Sequence, residues 1–357
     1  MLCDQLNLNS VNLMHKLVFN LLSVIFMAAM YTLVSSCDDN NDSPTFPFHA
    51  EIYSTISGSQ VAFQGLTHSA VGWSWDFGDG KTSTEQNPVH VYEQGGYYVA
   101  TLTAKDSKGA TITKTVDLAV NLRPYDFLVG DHTAEGYKGK TWKLTKAHSG
   151  AGDYLANADA ALTSATPYKP IPDGIFASST FGMGPVYDDT YTFFYDGSYA
   201  HDVKEDGGAF GGFVYQYVGI AGGNDKTLLG NLVKPSATEI QTYLGKGGTL
   251  GKLIEDIYGL CIARYTPESG AKFTLAEGVD ITVPSVYGGV SFKNTMTLDF
   301  TGTEFIGFRD FQRKVIVRSI NNTRMQVVMF MAAATSPAQA IGVNTHALIL
   351  TFEAVTE

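Results

Sequence analysis

Basic residues are scarce in this sequence. Lys and Arg number 24 against 35 Asp and Glu, which gives a formal net charge of −11. Nucleic acids and anionic lipid headgroups are bound by clustered Lys and Arg side chains. Nucleic acids and anionic membrane surfaces are therefore excluded as expected partners.

The sequence also lacks the short motifs of common enzymes. It has no Gly-x-Ser-x-Gly elbow, phosphate-binding loop or dinucleotide fingerprint, and no His-x-x-x-His or Cys-x-x-Cys pair for zinc. A glycosidase needs two carboxylates across a cleft. The available ones lie in polar or helical surroundings: Glu205, Asp206, Glu255, Asp256 and Asp310. We predict a non-catalytic protein that requires no cofactor, with a glycan-cleaving β-sandwich hydrolase as the enzymatic alternative.

An apolar segment near the N-terminus predicts export. A basic residue pair precedes a mostly apolar run at 17–34, and two serines and Cys37 follow it. Residues 1–36 have the form of a secretory signal peptide. A cysteine directly after two small residues resembles the lipobox of bacterial lipoproteins, which implies that Cys37 carries a lipid and begins the mature protein. An ordinary signal peptide or an uncleaved transmembrane helix is the alternative.

Residues 37–47 are predicted to form an acidic, polar tether that cannot fold by itself. An acidic run behind a lipidated cysteine resembles the export signal of surface lipoproteins in one group of Gram-negative bacteria. The resemblance implies an outer-membrane protein that faces the exterior, and a plain spacer is the alternative. Because Cys3 lies in or before the signal and Cys37 is taken by lipid, Cys261 has no disulfide partner and is predicted to be a buried apolar residue.

An aromatic strand followed by a tight turn predicts the first folded domain. Trp73, Trp75 and Phe77 occupy every second position, so their rings share one face of a strand. An Asp-Gly pair then favours a hairpin turn. The residues that resemble the signature of a PKD domain are Trp75, Asp76, Phe77, Gly78, Asp79 and Gly80.

A second signature supports this resemblance. The family's Asn-Pro-x-His-x-Tyr and Gly-x-Tyr-x-Val-x-Leu segments are matched at 87–92 and 96–102, with Ala100 where the family usually carries Val. The resemblance implies an immunoglobulin-like sandwich of about seven short strands over residues 48–122, in which the first signature is structural. The predicted core consists of Phe63, Trp75, Phe77, Tyr98, Leu102 and Val116.

The region 125–357 has no motif of similar specificity, yet its pattern predicts a larger antiparallel β-sandwich, jelly-roll-like, with short helices. Hairpin signals occur at 191–200 around Asp196-Gly197 and at 315–331 around Asn321-Asn322. Short helices are predicted within 236–258, and 153–184 is predicted to be a long loop. The predicted class of the whole chain is all-β.

Aromatic side chains in and just after the long loop are the expected glycan-binding residues. Aromatic rings can stack on sugar rings without charge, and loops beside a rigid sandwich commonly carry binding sites. The candidates are Tyr154, Tyr168, Phe176, Phe181 and Tyr187. The alternative for each of them is burial in the core.

Asp188 and Asp189 are the metal candidates, because they directly precede the strand predicted at 191. Paired carboxylates at a loop-to-strand junction can supply oxygen ligands to a structural Ca²⁺ ion. No Asp-x-Asp-x-Asp-Gly spacing supports such a site. Two solvated aspartates are therefore the alternative.

The order of anchor, tether, PKD-like domain and β-sandwich is similar to that of surface glycan-binding lipoproteins in Gram-negative polysaccharide-uptake systems. The resemblance implies a lipid-anchored, non-catalytic outer-membrane protein that binds a polysaccharide or oligosaccharide and belongs to an uptake complex. The PKD domain is the expected spacer, and lipid is the expected membrane contact. The alternatives are a glycan-cleaving enzyme and an adhesive or structural protein that binds protein partners.

Overall fold

The all-β class predicted from the sequence is confirmed. The computed structural model describes residues 47–162, 168–178, 181–212, 260–285, 288–332 and 345–356. The predicted signal peptide, Cys37, nearly all of the tether and the helices predicted within 236–258 lie outside these residues, as does the side chain of Cys261. No helix in the described ranges is long and apolar enough to cross a membrane.

The N-terminal domain is a sandwich of two antiparallel sheets. Its strands are β1 (His49–Ser57), β2 (Gln60–His68), β3 (Ala70–Asp76), β4 (Thr82–Ser83), β5 (Val89–Val91), β6 (Gly96–Asp106) and β7 (Thr111–Val120). One sheet has the order β1-β2-β5 and the other the order β4-β3-β6-β7. This is the immunoglobulin-like arrangement that the aromatic motif predicts.

Aromatic rings fill the space between these two sheets. Trp75 and Leu102 are fully buried, and the ring of Phe63 lies 5.1 Å from that of Trp75 and 5.3 Å from that of Phe77. Tyr98 and Val116 are half-buried and pack against this cluster. The predicted core is therefore confirmed, with two of its members at the edge.

The acidic residues of the aromatic motif hold its turn. The Gly78 N–H donates to Asp76 Oδ1 at 2.9 Å, and the Lys81 N–H donates to Asp79 Oδ1 at 3.0 Å. The other oxygen of Asp79 lies 2.7 Å from His90 Nε2, whose ring stacks on Phe77. Because the turn and β5 occupy these carboxylate atoms, both side chains are structural.

Replacing Gly78 with Ala is expected to destabilise this domain much more than replacing Gly80. Both glycines have positive φ, +79° and +83°, but an added Cβ at Gly78 would lie 2.6 Å from the Val99 carbonyl oxygen, whereas Gly80 has open space. We expect losses of about 3 kcal/mol for Gly78→Ala and about 1 kcal/mol for Gly80→Ala in the free energy of unfolding. Urea unfolding measures both, and equal losses would contradict the packing argument.

The C-terminal domain is built from the remaining strands. They are β8 (Lys140–Leu144), β9 (Tyr154–Asn157), β10 (Tyr168–Pro170), β11 (Thr190–Phe193), β12 (Tyr199–Asp202), β13 (Gly208–Gly211), β14 (Cys261–Arg264), β15 (Phe273–Ser285), β16 (Gly288–Phe300), β17 (Phe308–Arg309), β18 (Val315–Ile320), β19 (Arg324–Met331) and β20 (His346–Ala354). A curled ten-stranded sheet has the order β12-β11-β8-β20-β19-β18-β16-β15, with β9 pairing β20 and β10 pairing β9. A three-stranded sheet, β14-β13-β17, contains a parallel β13–β17 pair.

Both predicted hairpins are present in the ten-stranded sheet. In the β11–β12 hairpin, Gly197 has φ +82°, and the Ser198 N–H donates to Asp196 Oδ1 at 2.9 Å. In the β18–β19 hairpin, Asn321 Oδ1 accepts the N–H of Arg324 at 2.9 Å. Short polar turns between apolar runs therefore predicted the strand pairing correctly.

The segment 153–184 was expected to be a long loop, and that expectation is wrong for part of it. It contains β9 and β10 and two short 3₁₀ helices, Ala158–Ala160 and Ile175–Ala177. The strand β9 forms because β20 extends past β8 and offers its free edge, pairing Ile349 with Tyr154. Two α-helices, α1 (Pro124–Val129) and α2 (His148–Ala151), and a third 3₁₀ helix, Gly184–Tyr187, complete the domain's described elements.

Candidate functional site

Three of the five predicted glycan-binding aromatics are core residues. Tyr154, Phe176 and Tyr187 are 5%, 2% and 2% exposed, so their ring faces are covered by other side chains. The expected platform is therefore not formed by these three. Phe181 is half-buried against Phe176, with ring centroids 6.2 Å apart, and the side chain of Tyr168 lies outside the described residues.

Tyr187 instead belongs to a buried polar network. Its hydroxyl lies 2.8 Å from His148 Nε2, and His148 Nδ1 lies 2.8 Å from Asp153 Oδ2. Burial raises the pKa of Tyr187 to about 12, so the hydroxyl keeps its proton and donates to Nε2. The imidazole then carries its proton on Nδ1 and donates it to Asp153. This order resembles an acid–base relay, but the buried groups reach no solvent, so the network is structural.

Asp153 connects this network to the large sheet. Its carboxylate accepts the Thr351 N–H at 3.0 Å, the Thr351 hydroxyl at 2.6 Å and the Gln326 amide at 3.3 Å. Both partners lie on the adjacent strands β19 and β20. The Phe176 N–H also donates to the Tyr187 hydroxyl at 3.3 Å. The network thus fixes α2 and the 3₁₀ helices Ile175–Ala177 and Gly184–Tyr187 to the sheet.

The metal candidates Asp188 and Asp189 do not share an environment. Asp188 is exposed, whereas Asp189 is fully buried and neither of its carboxyl oxygens has a hydrogen-bond partner among the described residues. Burial, and then the nearby Asp206, raises the pKa of Asp189 to about 8. Calcium takes six to eight oxygen ligands, and the described ranges contain no cluster of three or more acidic, His or Cys side chains able to hold a metal. The described residues therefore do not fit the expected calcium ion.

The carboxylates that a glycosidase mechanism could use also lie in different surroundings, some exposed and one buried. Glu205 and Asp206 are exposed on the turn between β12 and β13. Asp310 is fully buried, and its two oxygens accept the N–H groups of Phe311 at 3.0 Å and Ala332 at 2.8 Å. Glu255 and Asp256 lie outside the described residues. Asp310 is thus held as a structural carboxylate.

An open groove lies beside the turn between β11 and β12. Its volume is about 490 Å³, and it is lined by His132, Tyr137, Phe194, Tyr195, Asp196 and Ser198. Tyr195 is 44% exposed at the tip of this turn. The imidazole of His132 stacks on it with ring centroids 3.5 Å apart and an angle of 4° between the planes. We call this feature the Tyr195 groove.

The backbone of Tyr195 is held on both sides by tyrosine hydroxyls. The Tyr195 N–H donates to the Tyr137 hydroxyl at 3.0 Å, and the Tyr125 hydroxyl donates to the Tyr195 carbonyl at 2.8 Å. Tyr137 in turn donates to the carbonyl of Val129 at 2.9 Å. Burial raises the pKa of Tyr137 to about 12, so this arrangement persists at neutral pH. The exposed ring is therefore preorganised.

The described lining of the Tyr195 groove is not basic. None of its described lining residues is Lys or Arg, and Asp196 adds a carboxylate at the rim. The nearby Arg123 is neutralised by buried Asp126, which accepts its Nε at 3.0 Å and its Nη2 at 3.2 Å. Buried Nδ1 of His132 has no hydrogen-bond partner in the described part of the chain. The groove suits an uncharged ligand with hydroxyl groups.

The sequence did not predict this groove. It did predict the hairpin turn that presents Tyr195, but an alternating pattern does not show which residue lies at an exposed tip. The contacts that hold Tyr195 come from Tyr125, His132 and Tyr137, which precede it by up to 70 positions. The available signal was three aromatic side chains, one within α1 and two between α1 and β8.

The N-terminal sandwich is an immunoglobulin-like module whose core is aromatic. Residues 41–120 match the PKD domain family, and this part of the chain belongs to that family. The resemblance stated for the Trp75 to Gly80 signature is thereby confirmed.

Relatives of known sequence or structure match the same part of the chain. Collagenase ColQ1 of Bacillus cereus is 39% identical over 80 residues, 21% of this chain and 8% of the collagenase. The chain thus spans less than a tenth of that relative's length. The crystal structure of the PKD1 domain of the Vibrio cholerae metalloprotease PrtV is 32% identical, with 22% of this chain and 100% of the domain covered and a TM-score of 0.21.

A third similarity extends over both domains. A solved structure of carbohydrate-binding modules from the β-sandwich superfamily covers 88% of this chain and 94% of its own, with 11% identity and a TM-score of 0.23. A score that low does not establish a common fold for the C-terminal domain.

Proposed function

We propose that this protein is a lipid-anchored surface protein that binds a neutral polysaccharide or oligosaccharide without cleaving it. In this proposal Cys37 carries the lipid, residues 37–47 form the tether, and the protein serves a polysaccharide-uptake complex at the outside of the outer membrane. The PKD domain holds the C-terminal domain away from the membrane. The C-terminal domain supplies the exposed binding residues.

The observation that carries this proposal is the preorganised, exposed ring of Tyr195. Sugar rings pack their C–H groups on aromatic faces, while their hydroxyls need a few hydrogen-bond partners. The groove offers both, since Asp196 and Ser198 lie beside the ring. Because hydrogen bonds already fix the backbone of Tyr195, little conformational freedom is lost on binding. None of the described lining residues is Lys or Arg, which favours a neutral over an anionic glycan.

Affinity electrophoresis tests the proposed function. Purified protein is run in native gels that contain neutral polysaccharides, with and without a chelator, and the polysaccharides are assayed for new reducing ends. We expect retardation by at least one polysaccharide, no effect of the chelator and no reducing ends. Release of reducing ends would favour the hydrolase, and failure to bind any neutral polysaccharide would favour an adhesive protein.

A further inference from the structure

A second cleft adjoins the Tyr195 groove at the boundary between the two domains. Its volume is about 300 Å³, and it shares His132 and Tyr195 with the groove. The opposite wall belongs to the PKD domain and includes Gln94, Gly95 and Tyr97. The two cavities therefore form one continuous surface around a single exposed ring.

The PKD wall presents polar groups that the fold leaves unused. The Gln94 amide is exposed, the Tyr97 ring is half-buried, and neither side chain forms a hydrogen bond within the part of the chain that the structure describes. The backbone below them is fixed, because the Tyr98 hydroxyl donates to the Gln94 carbonyl at 2.7 Å. Burial raises the pKa of Tyr97, so its hydroxyl remains a neutral donor. These groups can hydrogen-bond a ligand without losing a protein partner.

The connection between the two walls is short and tightly held. The linker between the two domains consists of residues 121–123. Gly95 packs so closely on it that an added Cβ would overlap the Asn121 carbonyl oxygen. Two residues further on, the N–H of Arg123 donates to Asp126 Oδ2 at 2.9 Å, and the guanidinium binds the same carboxylate. Asp126 is 1% exposed, so this pair anchors the linker to the start of α1. Close packing and the ion pair at buried Asp126 therefore fix the backbone around the cleft at the domain boundary.

We infer that the glycan site spans both domains, with Gln94 and Tyr97 of the PKD domain contacting sugar units next to the one stacked on Tyr195. This inference rests on the proposed function and sharpens it. The ligand is an oligosaccharide chain long enough to cross the domain boundary, and the PKD domain is part of the site as well as a spacer. A single sugar unit, in contrast, contacts only the Tyr195 groove and does not reach the PKD domain.

The test compares ligand lengths in a double variant, Gln94→Ala with Tyr97→Phe. The probes are the smallest repeat unit and a longer oligosaccharide of the polysaccharide that retards the wild type. We expect the variant to bind the longer probe about tenfold more weakly, because it loses two hydrogen-bonding groups, and to bind the smallest unit as the wild type does. The matched control is Gln64→Ala, an exposed glutamine on β2, which keeps both affinities.

The possible outcomes separate this inference from the proposed function. If the wild type binds the longer probe and the double variant binds it equally well, the glycan does not reach the PKD domain and the inference is overturned while the function stands. If the wild type binds no glycan, both are overturned. Thermal unfolding of each variant verifies that a lost affinity is not a lost fold.

Discussion

Replacing Asp153 with Ala is expected to lower the free energy of unfolding by about 4 kcal/mol. The carboxylate accepts hydrogen bonds from the imidazole of His148 and from two groups of Thr351, all of them buried. Its removal leaves these donors without partners in an interior where water cannot replace the lost contacts. The 3₁₀ helices attached through Tyr187 then lose their anchor on the sheet.

Chemical unfolding of Asp153→Ala beside Asp159→Ala measures this effect. Asp159 lies six positions further along the chain, in a 3₁₀ helix, and is exposed. Its replacement is expected to change the free energy of unfolding by no more than about 0.5 kcal/mol. A similar small change in Asp153→Ala would mean that the buried network does not stabilise the domain.

The wild-type protein is expected to lose stability as the pH rises from 5 to 8, and Asp189→Asn is expected to remove about 3 kcal/mol of that loss. Burial, followed by the nearby Asp206, raises the pKa of Asp189 to about 8. An unfolded chain releases this proton near pH 4. Between these two values the folded state binds the extra proton, so each unit of rising pH costs about 1.4 kcal/mol.

Thermal and urea unfolding are measured from pH 5 to 8 for the wild type and for Asp189→Asn. The difference between their free energies of unfolding at each pH gives the contribution of Asp189. Asn mimics the protonated carboxyl and does not titrate, so Asp189→Asn gives the flatter profile. The exposed neighbour serves as control, and Asp188→Asn is expected to follow the wild-type profile. Parallel profiles for wild type and Asp189→Asn would show that Asp189 is ionised in the folded protein, as a bound cation would require.

The PKD domain could be predicted from sequence because its signals are local. Trp73 and Trp75 alternate within β3 and Phe77 directly follows it, and the turn that comes next depends on its own carboxylates and glycines. A period of two together with an Asp-Gly turn is enough to define a strand and its partner. The same reasoning predicted the turn at Asp196-Gly197 in the C-terminal domain.

The candidate site could not be predicted in the same way, because it depends on contacts between distant segments. Asp153 and Thr351 are 198 positions apart, and this contact buries the region in which binding aromatics were expected. Tyr195 lies at a turn whose existence was predictable, but the imidazole stacked on it comes from the distant segment between α1 and β8. The opposite wall of the cleft beside it comes from the PKD domain. Aromatic residue type alone therefore did not distinguish core rings from an exposed one.

The most direct test of the account is the glycan affinity of Tyr195→Ala against that of Tyr53→Ala. Tyr53 is the matched control, because it is an exposed tyrosine (58%) on β1 of the PKD domain that lines neither the groove nor the cleft. Isothermal titration calorimetry uses an oligosaccharide of the polysaccharide that retards the wild type. We predict that Tyr195→Ala raises Kd at least about tenfold and that Tyr53→Ala leaves it unchanged. Equal affinity of Tyr195→Ala and the wild type would contradict a glycan site at Tyr195.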